Sequence, residues 1–187
     1  MMRLMENRAL KTPPFAPPFL RAGELVIAQT ALILHWLGPR LGLAPKSEAG
    51  RLWLHQQQLT ISDWLVEVHD THHPIGSGLY YEDQKSESLR RAADFRENRL
   101  RKFMDYFERL DRAHNVTYVE LSLFQMIEGL RYAFPRTMAA LEPEYPGLID
   151  LHERVAARPR LALYLRSKRR IAFNRQGIFR AYPELDA

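Results

Sequence analysis

Along the 187-residue chain the spacing of apolar positions changes twice. Two short apolar runs, Phe19-Leu20 and Leu25-Val26-Ile27, flank the turn signal Ala22-Gly23-Glu24 and predict a β-hairpin. From Gln29 the period lengthens. Ala31, Ile33, Leu34 and Leu37 recur at helical spacing, and Gly38-Pro39 or Gly42 supplies the stop. After Pro45 the pattern is helical throughout. Residues 47–70 align Leu54, Ile61, Leu65 and Val68, with Trp64 beside them, and His73-Pro74-Ile75-Gly76-Ser77-Gly78 ends that helix. Residues 84–111 carry Leu89, Ala92, Ala93, Leu100, Phe103, Met104, Phe107 and Leu110 on a second long amphipathic helix. Val116-Thr117-Tyr118-Val119-Glu120-Leu121 has the form of a capping box. Thr117 and Glu120 are its reciprocal partners, Val116 and Leu121 are set for a hydrophobic staple, and Phe124, Ile127 and Leu130 continue the apolar face. Pro146 and Pro159 sit where two further helices would begin. Residues 1–12 read as a lead-in, and Phe173–Ala187 as an extended tail.

This order predicts a mostly α chain: a strand–strand–helix unit over residues 1–44, then an all-α domain over 45–187. A lone hairpin with one helix is too small to be a domain, so residues 1–44 read as the second half of something larger. Ahead of the hairpin, Pro13, Pro14, Pro17 and Pro18 crowd four of the twelve prolines into six residues and force extended backbone. Hydrophobic residues make up 46% and charged residues 26%, the proportions of a chain that buries a core. The absence of cysteine excludes disulfides, thiolate metal sites and any thiol nucleophile of the chain's own. No apolar run approaches the ~18 residues of a membrane span, and the start, Met1-Met2-Arg3-Leu4-Met5-Glu6, lacks the apolar stretch of a secretion signal.

The net charge of +5 is local. From Arg154 to Pro183 there are nine basic residues and no acidic one. A nucleic-acid face is one reading of that run. A late helix whose cations suit its C-terminal end, followed by a basic tail, is the plainer one, because no stacking aromatics or nucleic-acid motif accompany the charges.

Three stretches resemble the glutathione transferase family. Pro17-Pro18-Phe19-Leu20, Gly23-Glu24, Ile27-Ala28-Gln29-Thr30-Ala31-Leu32-Ile33-Leu34 and Leu37-Gly38 are similar to the family's cis-proline strand, turn, glutathione contact and following helix. The capping box before Leu121-Ser122-Leu123-Phe124 resembles a hallmark of its helical domain. Val155-Ala156-Ala157-Arg158-Pro159-Arg160 with Tyr164-Leu165-Arg166-Ser167 resembles its last helices. The resemblance implies the C-terminal half of a thioredoxin-like glutathione-binding domain over 1–44 and the family's helical domain over 45–187. It implies glutathione as co-substrate, a hydrophobic electrophile as second substrate, a cytoplasmic homodimer and a detoxifying transfer reaction. No metal, nucleic-acid or membrane partner is expected. Pro17, Pro18, Gln29 and Thr30 become the glutathione-binding residues by this resemblance, and Asp63 a further candidate reaching the glutathione amino group across a dimer. Thr117 and Glu120 are structural.

The resemblance also has gaps. The family's opening strand–helix–strand, with the Tyr, Ser or Cys that activates the thiol, has no counterpart in the chain. It is expected upstream of Met1, so no catalytic residue is assigned; full activity without it would point instead to a residue within the chain such as Tyr80 or Tyr81. Pro17 has no N–H, which removes one of two backbone bonds expected to glutathione. The stretch Leu110-Asp111-Arg112-Ala113-His114-Asn115 is short for the family, which usually carries a longer glycine-containing loop there; a deletion near 111–116 and residues left out of the chain are both open. The alternative function is a transferase-like binding or scaffold module that has lost catalysis.

Other residues have plainer accounts. Asp63 in mid-helix reads equally as a solvated aspartate. His69 with His72 or His73 has spacing that can put two imidazoles on one face, but no third ligand is identified, and histidine also suits a helix C-terminus. Tyr80-Tyr81-Glu82-Asp83 serves either as a cleft wall or as a helix start.

Overall fold

The computed structural model describes residues 5–7, 9–110 and 115–187. The first residues of the expected lead-in and the stretch 111–114 lie outside them. The chain divides into two compact units, Met1–Leu59 with Thr117–Val119, and Thr60–Val116 with Glu120–Ala187.

In the first unit, β1 (Phe19–Ala22) pairs antiparallel with β2 (Leu25–Ala28) in the register Phe19↔Ala28 and Ala22↔Leu25. The tight turn takes Gly23 at φ +61°, a conformation that costs glycine little. Helix α1 (Thr30–Arg40) follows, and α2 (Glu48–Asp70) starts in this unit. Ile27 and Ala31 are buried, and His35 of α1 meets His55 of α2 with ring centroids 4.6 Å apart. Gly38 of α1 is demanded by packing: a Cβ there would lie 2.5 Å from the Tyr118 ring, whose backbone N–H donates to the Leu43 carbonyl at 3.0 Å. Thr117 Oγ1 accepts from the backbone N–H of Val119 at 3.2 Å, a bond from the N-cap to the second helical residue.

Among its described residues the second unit has helices and connecting segments but no strand. It takes the rest of α2, then α3 (Lys85–Asp94), α4 (Leu100–Glu108), α5 (Tyr118–Ala133) from Glu120 onward, α6 (Pro135–Leu141), α7 (Pro146–Ala156) and α8 (Pro159–Leu165). The chain is therefore mostly α, a two-stranded antiparallel sheet followed by a helical bundle. Trp64 stacks on Phe103 and Phe107 at 5.2 and 5.9 Å, Phe124 of α5 stacks on His152 of α7 at 4.8 Å, and Leu123, Ile127 and Leu130 of α5 and Leu148, Leu151 and Val155 of α7 are buried.

The long helix expected over 84–111 is continuous from Lys85 to Glu108 but contains a π turn at Phe95–Arg99. Its buried positions explain the turn. Ser88, Ala92 and Phe95 keep α spacing, Leu100, Phe103, Met104 and Phe107 keep it again, and the step from Phe95 to Leu100 is five residues. One extra residue per turn lets both stripes face the same core, which is also why Leu89 stays 42% exposed. The π turn presents Arg99 to Glu67 of α2, with nitrogen–oxygen distances of 2.6–3.1 Å, and Arg91 joins at 3.2 Å. Burial raises the Glu67 pKa, but the hydrogen bonds from Arg99 and Arg91 outweigh it and leave the carboxyl below its ordinary value.

Helices α6 and α7 each begin on proline and have no side-chain cap of their own. Distant carboxylates cap them. Glu108 accepts from the amides of Gly147 and Leu148 at 2.7 and 2.8 Å, and Asp186 from those of Arg136 and Thr137 at 2.6 and 3.0 Å. Helix α6 was not legible in the sequence pattern, which carried the preceding helix only to Leu130. The segment Phe173–Ala187, expected as an extended basic tail, is free of α-helix but folds back and ends in a 3-10 turn at Pro183–Asp186. It buries Phe179, Leu185 and Asp186. Replacing Asp186 by alanine leaves two amides of α6 without their acceptor in a buried setting; urea unfolding is expected to show a loss of about 1–3 kcal/mol.

Candidate functional site

Two proline residues and one glutamine end up together because of strand register. Phe19 opposes Ala28, so Pro18 and Gln29 are the next residues outward on the paired strands, at the open end of the hairpin. The Pro17–Pro18 peptide is cis, and both prolines are exposed. Gln29 stands at φ +67°, ψ 122°, and among the described residues it is the one non-glycine with positive φ. Its carbonyl accepts the first helical bond of α1, from Ile33 N–H at 2.9 Å, while its side chain is solvent-exposed. Thr30, also exposed, is the first residue of α1. No side chain caps this helix and no acidic residue lies in its first turn. The N–H groups of that turn carry the positive end of an 11-residue helix and are open to an anion. The hairpin end thus offers the Pro17 carbonyl as an acceptor, the open amides as donors, and the polar side chains of Gln29 and Thr30.

Asp63 belongs to the second unit. It is exposed on a line of α2 that also exposes Leu52, Leu59 and Val66. Glu120 is buried in the second unit, and Thr117 stands at the start of α5. Tyr80 is 78% exposed, whereas Tyr81 is buried and donates its hydroxyl to Glu184 at 3.2 Å. Burial, then the Glu184 carboxylate, pushes the Tyr81 phenol well above its ordinary pKa. The Tyr81 hydroxyl is thus buried and committed to Glu184. The Tyr80–Asp83 segment is a helix start: the Tyr80 N–H donates to Asp83 Oδ2 at 3.1 Å.

Nothing in the pattern of residues marks Gln84. It is fully buried and staples the glycine turn, its Oε1 accepting from Ile75 and Gly76 N–H at 2.9 and 3.3 Å and its Nε2 donating to the Gly76 carbonyl at 3.1 Å. An isolated glutamine before a helix carries no periodic signal that would mark it. His69, His72 and His73 do cluster, with centroids 4.7–5.6 Å apart. Among the described residues no group of three His, Cys, Asp or Glu side chains is set to hold a metal ion. Among the described residues of the second unit are two open clefts. One of about 510 Å³ is lined by Arg99, Phe103 and Tyr106, and one of about 360 Å³ by Phe124, Tyr164 and Phe173. No histidine lines either cleft, so neither pairs a nucleophile with an imidazole base.

Residues 69–168, more than half of the chain, match the family model for the glutathione S-transferase C-terminal domain. The chain belongs to the glutathione S-transferase family. No curated protein matches it. The matched stretch opens on His69 at the end of α2, takes in α3 to α8 and includes Thr117 and Glu120. It includes none of Pro17, Pro18, Gln29, Thr30 and Asp63. Membership in the family carries a transferase-like function with glutathione as the associated co-substrate, and no helix among the described residues is long and apolar enough to cross a membrane.

Holding a glutamine at positive φ costs free energy that folding alone has no need to spend. Gln29→Gly is expected to raise stability by about 1 kcal/mol in thermal or urea unfolding, relieved strain outweighing glycine's greater unfolded-chain entropy.

Proposed function

We propose that this protein binds glutathione at the hairpin end and conjugates its thiolate to a small hydrophobic electrophile. The observation that carries the reading is Gln29 held at φ +67° on an uncapped helix start, beside the Pro17–Pro18 peptide in the same register. In this reading residues 1–44 are the glutathione-binding half-domain and 45–187 the helical domain. The γ-glutamyl carboxylate takes the open amides of α1 together with Gln29 and Thr30, a charge-assisted arrangement. The glutathione backbone lies along the residue before Pro18 as an added strand would. Pro17 offers only its carbonyl there, and losing the N–H partner, at about 0.5–1.5 kcal/mol, weakens binding by up to about tenfold.

The reaction forms a carbon–sulfur bond. A thiolate attacks an electrophilic carbon, and either a leaving group departs with the electron pair or, in an addition, the adduct takes up a proton. A free thiol titrates at about 8.5, so at neutral pH only a small share is thiolate unless a donor stabilises it. A donor to the sulfur is what the transferase reading requires. A binding or scaffold module is the second reading, consistent with Pro17 offering glutathione an acceptor but no N–H. Titration calorimetry with glutathione and a conjugation assay on an aryl halide separate the two. Weak binding with slow turnover, both diminished several-fold in Gln29→Ala, supports the transferase. Binding without any turnover supports the module, and no binding overturns both.

The same reading includes a homodimer. Leu52, Leu59 and Val66 recur on α2 at helical spacing and are each 48–60% exposed, with Asp63 on the same line. Burying that line in a twofold contact would put the same face of each copy against the other. Sedimentation at micromolar concentration is expected to show a dimer, and Leu59→Glu to shift it to monomer.

A further inference from the structure

The C-terminal segment is fastened at several points within the second unit. Phe173 stacks on Tyr132 at 5.0 Å. Phe179 lies over Gly129, where a Cβ would come within 2.3–2.4 Å of its ring carbons. Tyr182 stacks on Tyr81 at 3.8 Å, Glu184 pairs with Lys85 at 2.8 Å, and Asp186 caps α6. Between these points the segment leans on one buried imidazole. His72, 1% exposed, faces the Ile178 carbonyl through Nε2 at 2.7 Å and the Nδ1 of His73 through its own Nδ1. A carbonyl only accepts, so His72 carries its proton on Nε2. Its Nδ1 is then an acceptor, and His73 supplies the proton between the two rings.

We propose that residues 174–187 form an acid-released strap, closed while His72 is neutral and freed when the imidazole pair takes up protons. The surroundings explain why charge is not tolerated. From the strap, His72 meets the Arg180 charge, the Tyr182 ring at 6.4 Å and the Ile178 carbonyl; from its own segment it meets His69 and His73. Carboxylates of the same segments have other partners. Asp70 bonds to His69 at 3.1 Å, and Glu184 takes Lys85 and Tyr81. Glu82 acts on His73, whose own charge is disfavoured by burial, Arg180 and His69. A first added proton therefore leaves a buried cation beside Arg180. A second puts hydrogens on both facing Nδ1 atoms and pushes the rings apart. Burial, then Arg180 and the neighbouring histidines, lower the His72 pKa from 6.5 to about 4, against the Ile178 bond that raises it. The closed strap thus binds fewer protons than the open one between those two values. Acid favours opening by up to about tenfold per pH unit from about 6.5 downward, and the gain ceases below about 4. Above 6.5 His72 is neutral in both forms and the strap is insensitive to pH. Glu184, held below its ordinary pKa chiefly by Lys85, stays charged over most of this window.

Hydrogen exchange of the full chain, read by mass spectrometry from pH 7.5 to 5 and corrected for intrinsic rates, tests the strap directly. Protection of residues 174–187 is expected to fall about tenfold per unit below pH 6.5, while that of residues 118–133 holds. His72→Gln keeps a donor for Ile178 but does not titrate, so its profile should be shallower, with His73 alone left to take up a proton. Equal pH profiles in the two proteins, or simultaneous loss in 118–133, would overturn the proposal. Gly129→Ala drives Phe179 off its seat without touching the histidines. It should open the strap at pH 7.5 and return His72 to an ordinary titration near 6.5 in imidazole NMR. If His72→Gln does not fold, the same NMR titration of the natural protein decides. A neutral Nε2–H ring persisting below pH 5 supports the latch, and titration near 6.5 in the closed form refutes it.

Discussion

Two helices of this bundle cannot start by themselves. Helices α6 and α7 open on Pro135 and Pro146, which fix the first helical turn but bring no side chain to accept from the amides behind them. Left bare in a packed setting, such amides cost more than most single contacts return. Glu108, from the end of α4, and Asp186, from the last turn of the chain, meet that need. Much of the rest depends on these two carboxylates. Glu108 fixes the end of α4 against α7, and Asp186 requires the C-terminal segment to return across the helices.

That return gives the basic C-terminal stretch its structure. Phe179 finds a flat seat because position 129 is glycine, and Tyr182 finds Tyr81 because the 3-10 turn at Tyr81–Gln84 presents the ring. Cations in the region meet partners as well as solvent: Arg170 reaches Glu128 at 2.7 Å, and Glu128 also accepts from buried His152 at 2.9 Å. Such exposed or half-exposed pairs add little individually. Their effect here is directional, since they hold a segment with little secondary structure in one path.

The hairpin end and the helical unit differ in what they ask of the backbone. In the helical unit the π turn at Phe95–Arg99 is the consequence of a five-residue step between core positions. The hairpin end contains strain with no packing reason for it. Gln29 is exposed, stands at positive φ and leaves the start of α1 uncapped. Backbone cost without a structural return is what a binding role would look like, and it lies in a part of the chain that the family match does not reach.

Periodicity alone determined the hairpin, its turn at Gly23, the long helices and the starts at Pro146 and Pro159. In each case the signal is local: spacing of two or 3.6, a turn residue, a proline at a first turn. The resemblance carried by Pro17-Pro18, Gln29-Thr30 and the Thr117 segment was equally legible, being a matter of residue order. Four features were decided only in three dimensions. The π turn depends on which faces must meet a shared core. The burial of His72 and Gln84 depends on what covers them, since a histidine or glutamine reads as polar whatever its surroundings. Tyr81 is committed to Glu184 from more than a hundred residues away. The fate of residues 173–187 was the least legible of all. Their composition reads as a solvated tail, and only the uncapped start of α6, the flat seat at Gly129 and the ring of Tyr81 explain why they fold back.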